Sequence, residues 1–257
     1  EFEPVLDWSW AGGDVMMTPA IGNLTDDNGD GAVDENDIPD IAFTIFYGGN
    51  YGSNGTLYVI SGDDGHEIFH LPSPAIAPGA GLAIADVDVD GRAEIVACQS
   101  GGGSVIVEGD GSVSGTIADG CGNYVHPVVA DLEGDGTPEI VTSYTISSGG
   151  AVRCRGWGGA ASNNVSAVSD VDGDGFLDVV GGNRAMDADC AEIWVNAAVT
   201  DGRPAIADLD MDDLPEVATV VGSIWVLDGE DGSLAWGPYT VSSGTCGGAP
   251  TIADFDG

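Results

Sequence analysis

Short apolar runs broken by acidic, glycine-rich stretches recur from one end of this chain to the other. Aligned on itself, the chain shows six copies: Ala20-Ile-Gly-Asn-Leu-Thr-Asp26, Ala83-Ile-Ala-Asp86, Val128-Val-Ala-Asp131, Ala167-Val-Ser-Asp170, Ala205-Ile-Ala-Asp208 and Thr251-Ile-Ala-Asp254. Each acidic stretch leads into a second apolar run, such as Glu94-Ile-Val-Ala97, Glu139-Ile-Val-Thr142 or Glu216-Val-Ala-Thr219. Runs this short, rich in Val and Ile and bounded by Gly, Asp and Pro, predict strands. Several repeats then supply a hairpin. Leu57-Tyr-Val-Ile60 turns through Gly62-Asp-Asp-Gly65 into Glu67-Ile-Phe69, and Ile224-Trp-Val-Leu227 turns through Gly229-Glu-Asp-Gly232 into Leu234-Ala-Trp236. Glycine there supplies the positive φ that tight hairpins need.

One repeat is therefore about four strands. Acidic loops start at 26, 86, 131, 170, 208 and 254, and four strands in roughly 40 to 50 residues is the size of a propeller blade. A β-helix needs a shorter repeat, and the 42 glycines without a sustained helical period exclude a helical solenoid. The expectation is an all-β chain forming a single β-propeller domain over 1–257, with six to seven four-stranded blades, seven in the complete protein. Residues 1–12, with Val5-Leu-Asp-Trp-Ser-Trp10, read as an outer strand that closes the final blade. The last loop stops at Asp254-Phe-Asp-Gly257, so a chain incomplete at its C-terminus is expected.

Charge changes the picture. The 43 Asp and Glu against five Arg and no Lys give a formal net charge of -38, which repels nucleic acid and anionic membrane surfaces and makes cations the natural partners. A salt-adapted surface would scatter its carboxylates, whereas metal loops cluster them at fixed spacing. Here they cluster. The simplest loop, Asp170-Val-Asp172-Gly-Asp174-Gly175-Phe176-Leu-Asp178, places side-chain oxygens at positions 1, 3, 5 and 9, a backbone carbonyl at 7 (Phe176) and Gly at 6. Hard oxygen donors on a flexible loop favour calcium; magnesium demands tighter octahedra and zinc prefers His or Cys.

The same pattern gives Asp86, Asp88, Asp90, Arg92 (carbonyl) and Glu94; Asp131, Glu133, Asp135, Thr137 (carbonyl) and Glu139; and Asp208, Asp210, Asp212, Leu214 (carbonyl) and Glu216. In the last of these Asp213 stands where the others have Gly, which predicts a strained turn. The first loop is expanded: Asp26, Asn28, Asp30, Ala32 (carbonyl), Asp34 and Asp37 fit an EF-hand-like spacing, and Asp40 aligns with Glu139 and Glu216, so either Asp37 or Asp40 completes that site. Asp254 and Asp256 open a sixth loop. About five calcium sites are expected, with 170–178 the best formed and 208–216 the weakest.

The units Ala-Asp-Val-Asp-Val-Asp-Gly-Arg-Ala-Glu-Ile-Val (85–96) and Ser-Asp-Val-Asp-Gly-Asp-Gly-Phe-Leu-Asp-Val-Val (169–180) resemble the FG-GAP/VCBS repeats of integrin α-subunit propellers and many secreted bacterial proteins. The resemblance spans nearly the whole chain, with the Phe-Gly and Gly-Ala-Pro signatures mostly degraded; Gly248-Ala-Pro250 is one remnant. It implies a seven-bladed ring with calcium in the loops between the first and second strands of each blade, six and eight blades remaining open.

No catalytic constellation stands out. His66, His70 and His126 lie outside any metal or nucleophile motif, and Ser147-Ser148 and Ser242-Ser243 lack a GxSxG context. The acids recur in every repeat, whereas a catalytic pair occurs once. Trp157, near Arg153 and Arg155, is a candidate for ligand contact, with blade packing as the plainer reading. The five cysteines have no CxxC spacing and read as one or two disulfides with unassigned pairing, in an oxidising extracellular setting. The expected function is a secreted or cell-surface calcium-binding scaffold for adhesion, binding or self-assembly, partnered by a protein or glycan and neither inserted in a membrane nor bound to nucleic acid. The alternatives are a polysaccharide lyase or a lectin on the same scaffold.

Overall fold

The structure is a computed structural model that describes residues 3, 5–52, 54–156, 165–240 and 249–253. Among them every regular element is a strand. The strands form five antiparallel sheets, each a meander in chain order. The second sheet is representative: β6 (Leu82–Ala85), β7 (Glu94–Cys98), β8 (Ser104–Val107) and β9 (Val113–Ile117) lie side by side in that order. The third, fourth and fifth repeat it with β10–β13 (128–155), β14–β17 (167–195) and β18–β21 (204–240). In the first sheet the innermost strand comes in two pieces, β1 (Asp14–Val15) and β2 (Ala20–Gly22). Both pair with β3 (Asp40–Phe46), which continues through β4 (Gly55–Ser61) to β5 (Glu67–Ile76).

Burial follows strand position. β7 and β11 (Glu139–Thr142) are buried at every residue, whereas β21 (Leu234–Thr240) is exposed at all but one. Central strands covered on both faces read as unbroken apolar runs, which is why Glu94-Ile-Val-Ala-Cys98 shows no alternation.

The described residues divide into two compact units, 1–129 with 149–151, and 130–148 with 152–257. In the first, Leu57, Val59, Ile76, Ile95, Val105 and Val107 form the core of the first and second sheets. In the second, Val171, Val180, Trp194, Val217 and Leu227 do the same for the fourth and fifth. Among the described residues each unit has one disulfide: Cys98–Cys121 in the first and Cys154–Cys190 in the second. The N-terminal segment lies outside any strand among the described residues. It donates the Trp8 indole N–H to the Gly62 carbonyl at 3.3 Å and packs Trp10 edge-on against Phe43 and Tyr58.

Candidate metal centre

Each acidic loop among the described residues joins two neighbouring strands of one sheet, and the pairing register fixes its two ends. Ala85 pairs with Glu94, Ser169 with Asp178 and Ala207 with Glu216. The closing acid is therefore the first residue of a central strand, and none of Glu94, Glu139, Asp178 and Glu216 is more than 6% exposed. One carboxylate oxygen of each accepts the backbone N–H at loop position 2: Val87 to Glu94 at 2.8 Å, Leu132 to Glu139 at 3.1 Å, Val171 to Asp178 at 3.0 Å and Leu209 to Glu216 at 2.6 Å.

The opening acid folds the loop over itself. Asp170 accepts from Gly173 at 2.8 Å and Gly175 at 3.0 Å, Asp86 from Asp90 at 3.1 Å and Gly91 at 2.9 Å, and Asp131 from Asp135 at 3.0 Å and Gly136 at 2.7 Å. These turns need left-handed backbone at positions 4 and 6. Glycine supplies it at Gly173 and Gly175, but Val89, Met211 and Asp213 adopt φ of 64°, 64° and 78°. The strain expected at Asp213 is thus present in the backbone. Asp213→Gly is expected to raise stability by about 0.5–1 kcal/mol, read as a small upward shift in Tm.

Folding in this way brings like charges together. Oxygens of Asp86, Asp88, Asp90 and Glu94 lie within 4.8 Å of one another, as do those of Asp170, Asp172 and Asp178, and those of Asp208, Asp210 and Glu216. Asp174 and Asp212 stand outside these groups and cap the N–H of Phe176 at 2.8 Å and Leu214 at 2.9 Å. Burial, then the neighbouring carboxylates, push Glu94 and Asp178 up to about 7 each, against the hydrogen bonds from Val87 and Val171 that favour the charged form. Glu94 Oε1 is buried without a hydrogen-bond partner. A converging set of hard oxygens, one of them buried and unsatisfied, fits a divalent cation that favours oxygen ligands.

The third loop differs. Arg153, on β13 (Ala151–Arg155), grips both oxygens of Glu133 with its guanidinium, reaches Asp189 Oδ1 at 3.0 Å and stands 3.9 Å from Glu139 Oε1. Its hydrogen bonds hold the Glu133 carboxyl below the usual range. Asp131, Glu133, Asp135 and Glu139 are not drawn together around a common point; a fixed cation from the protein itself already sits among them. Sequence spacing gave no sign of Arg153 as a member of this loop.

The first loop is two frames, one inside the other. Gly22 pairs with Asp40, so Asn23 occupies the place that Asp86 holds in the second loop, and Asp40 that of Glu94. Asp40 accepts from Leu24 N–H at 3.1 Å and Thr25 Oγ1 at 3.0 Å, its other oxygen being buried and unpartnered, and burial raises its pKa. Inside this frame Asp26 accepts from Gly29 at 2.7 Å, Asp30 at 3.1 Å and Gly31 at 2.9 Å, as an opening acid should. Asp37 closes the inner loop on Asp27 N–H at 3.0 Å and Asp34 N–H at 2.8 Å, which hold its carboxyl below the usual range. Asp37 thus closes the inner loop and Asp40 the outer frame. Asn28 and Asp30 cap Asp30 and Ala32 N–H, each at 2.9 Å, and Asp34 caps Asn36 at 2.8 Å. Asp254, Asp256, Trp157 and Cys246 lie outside the described residues.

Four-stranded meanders with acidic first loops define a β-propeller-type repeat protein. Residues 86–142, from the second acidic loop into the third sheet, match the family model of the FG-GAP-like repeat. No curated protein matches the chain. Among solved structures it is similar to the V. cholerae biofilm matrix protein Bap1, at 27% identity and a TM-score of 0.78 over 90% of this chain and 42% of that one. It is also similar in fold to the exotype rhamnogalacturonan lyase YesX, at 18% identity and a TM-score of 0.63 over 86% of this chain and 48% of that one. A rhamnogalacturonan lyase of Bacillus licheniformis matches at 20% identity and a TM-score of 0.59 over 85% of this chain and 50% of that one. The chain spans half or less of the length of each.

Proposed function

We propose that this chain is a calcium-stapled extracellular scaffold that binds or assembles other surface components and catalyses no reaction. The observation that carries this reading is the gathering of loop acids at the same place in the second, fourth and fifth sheets, with Glu94 Oε1 buried and unsatisfied in the richest of them. Acids that recur in repeat after repeat serve the repeat, whereas a reaction needs one site. Calcium is preferred over magnesium because the ligands hang on a flexible loop that can supply more than six oxygens. Two disulfides agree with an oxidising compartment, and among the described residues no helix is long and apolar enough to cross a membrane. The likeness to Bap1, a biofilm matrix protein, supports an extracellular binding or assembly role over the lyase alternative.

Calorimetric titration of the metal-free chain with calcium tests the metal part, with at least three binding events expected; absence of binding at millimolar calcium overturns it. Incubation with rhamnogalacturonan tests the noncatalytic part. An unchanged polymer length is expected, and shortening would move the chain to the lyases. The third loop gives a finer prediction: Arg153→Ala frees Glu133 and Glu139, and the calcium stoichiometry should rise by one.

A further inference from the structure

The charges of the second unit are sorted by end. In an antiparallel meander the first and third connections lie at one end of the sheet, and the second connection lies at the other with the link to the next sheet. The acidic loops are first connections. Every Asp and Glu of this unit among the described residues, except Asp201, falls at their end, in the loops themselves or about the third connections at 187–192 and 228–231. The opposite end is basic. Arg155 closes β13 there, Arg184 opens β16 (Arg184–Met186) and Arg203 precedes β18 (Pro204–Ala207), so three of the chain's five arginines share that end with one acid. The linking stretches 157–164 and 241–248 contain no charged residue.

Tyr144, in the turn from β11 to β12 (Thr145–Ser148), ties the three arginines to one place. Its hydroxyl donates to Asp201 at 3.1 Å, and Asp201 also accepts the Gly182 N–H at 3.0 Å. The Arg184 guanidinium carbon lies 5.7 Å from the Tyr144 ring centroid, and Arg155 donates to Thr145 Oγ1 at 3.2 Å. A Cβ on Gly182 would collide with the Gly202 backbone, so the links that carry Arg184 and Arg203 touch. Burial pushes the Tyr144 hydroxyl well up, so it stays a neutral donor and adds no negative charge to this end. Arg203 is half-buried and has no hydrogen-bond or ion-pair partner among the described residues.

We propose that this end of the second unit binds the carboxylates of an acidic polysaccharide, with Arg203 as the contact residue and Arg155 and Arg184 supplying the positive field around it. The partner class presupposes the noncatalytic binding role given above. A guanidinium fork matches a carboxylate in shape as well as in charge. A polymer of uronic acids spaces its charges at least a sugar apart, so it lays a few of them on the arginines and keeps the rest clear of the acidic end. A nucleic acid duplex carries a charge about every 1.7 Å, a density that a chain of net charge -38 repels. Sorting by end is what lets so acidic a scaffold hold an acidic polymer: its own acids stand where the loops gather cations, away from the arginines.

Binding of a fluorescently labelled oligogalacturonate to the full chain, in calcium at low salt, tests the assignment. The same oligosaccharide with its carboxyl groups reduced to alcohols and a single-stranded DNA of equal length are the comparison probes. The expected result is that the oligogalacturonate binds and neither comparison probe does. Arg203→Gln and Arg155→Gln should each weaken binding by about tenfold, the loss of one charge-assisted contact, with the Tm in calcium unchanged. No binding of the oligogalacturonate, equal binding of the carboxyl-reduced form, equal or tighter binding of the DNA, or parent affinity in either variant would overturn the proposal. Such a failure with the calcium binding events intact strikes the polysaccharide partner alone, whereas a shortened oligosaccharide strikes the noncatalytic role.

Discussion

Removing divalent cations with EDTA is expected to lower the thermal midpoint by about 15–30 °C. An ion held at a hundredfold its dissociation constant stabilises the folded chain by about 2.7 kcal/mol. The three gathered acid groups together therefore contribute about 8 kcal/mol, and each kcal/mol moves Tm by about 2–4 °C in a chain of this size. The expected dependence on an ion follows from how the loops are built. Their closing acids are buried at the head of the central strands, so without a cation the folded state must hold a buried carboxylate beside the other, more exposed acids of its loop. Differential scanning calorimetry in calcium and in EDTA measures the shift, and an unchanged melt would sink the calcium reading.

The pH dependence of the metal-free chain has a definite sign. Glu94 and Asp178 stand at about 7 in the folded chain against ordinary values of 4.5 and 3.8. Between those limits the folded state binds more protons than the unfolded one, so stability falls as pH rises from about 4.5 to 7. In EDTA the Tm should therefore drop from pH 5 to pH 8. In saturating calcium the ion takes the charged form, protons compete with it, and the drop should vanish or reverse.

How much of this could be read beforehand depended on how local each feature is. The loops at 86, 170 and 208 were legible because all their acids lie within nine consecutive residues and the residue before the first is the strand partner of the last. The first loop was half legible. Its inner acids follow a local spacing, but the outer frame joins Asn23 to Asp40 across the insertion that carries them. The match of Ala20-Ile-Gly-Asn23-Leu24 to Ala83-Ile-Ala-Asp86-Val87 was the available signal, masked by an amide in place of an acid. Arg153 was out of reach. It lies 20 residues from Glu133, and only the return of β13 beside its own sheet brings them together. The disulfide partners are separated by 23 and 36 residues, with no spacing rule to pair them.

Trp194 and Trp236 set the same side chain at the same register position in two surroundings, and their truncation should separate the two by an order of magnitude. Trp194→Ala empties a place in the core beside Val171, Val217 and Leu227 and leaves the Gly229 carbonyl without its 2.6 Å donor. Loss of a buried tryptophan costs about 3–5 kcal/mol, so Tm should fall by about 6–20 °C. Trp236→Ala removes a half-exposed ring stacked on Tyr239, and a surface change of this kind stays within about 0.5 kcal/mol. Thermal melts of the two variants in calcium decide it. The contrast follows from what covers each ring: the Trp194 indole lies on the Gly232 turn and donates to the Gly229 carbonyl, so its contact energy is part of the fold, while the Trp236 ring is half exposed.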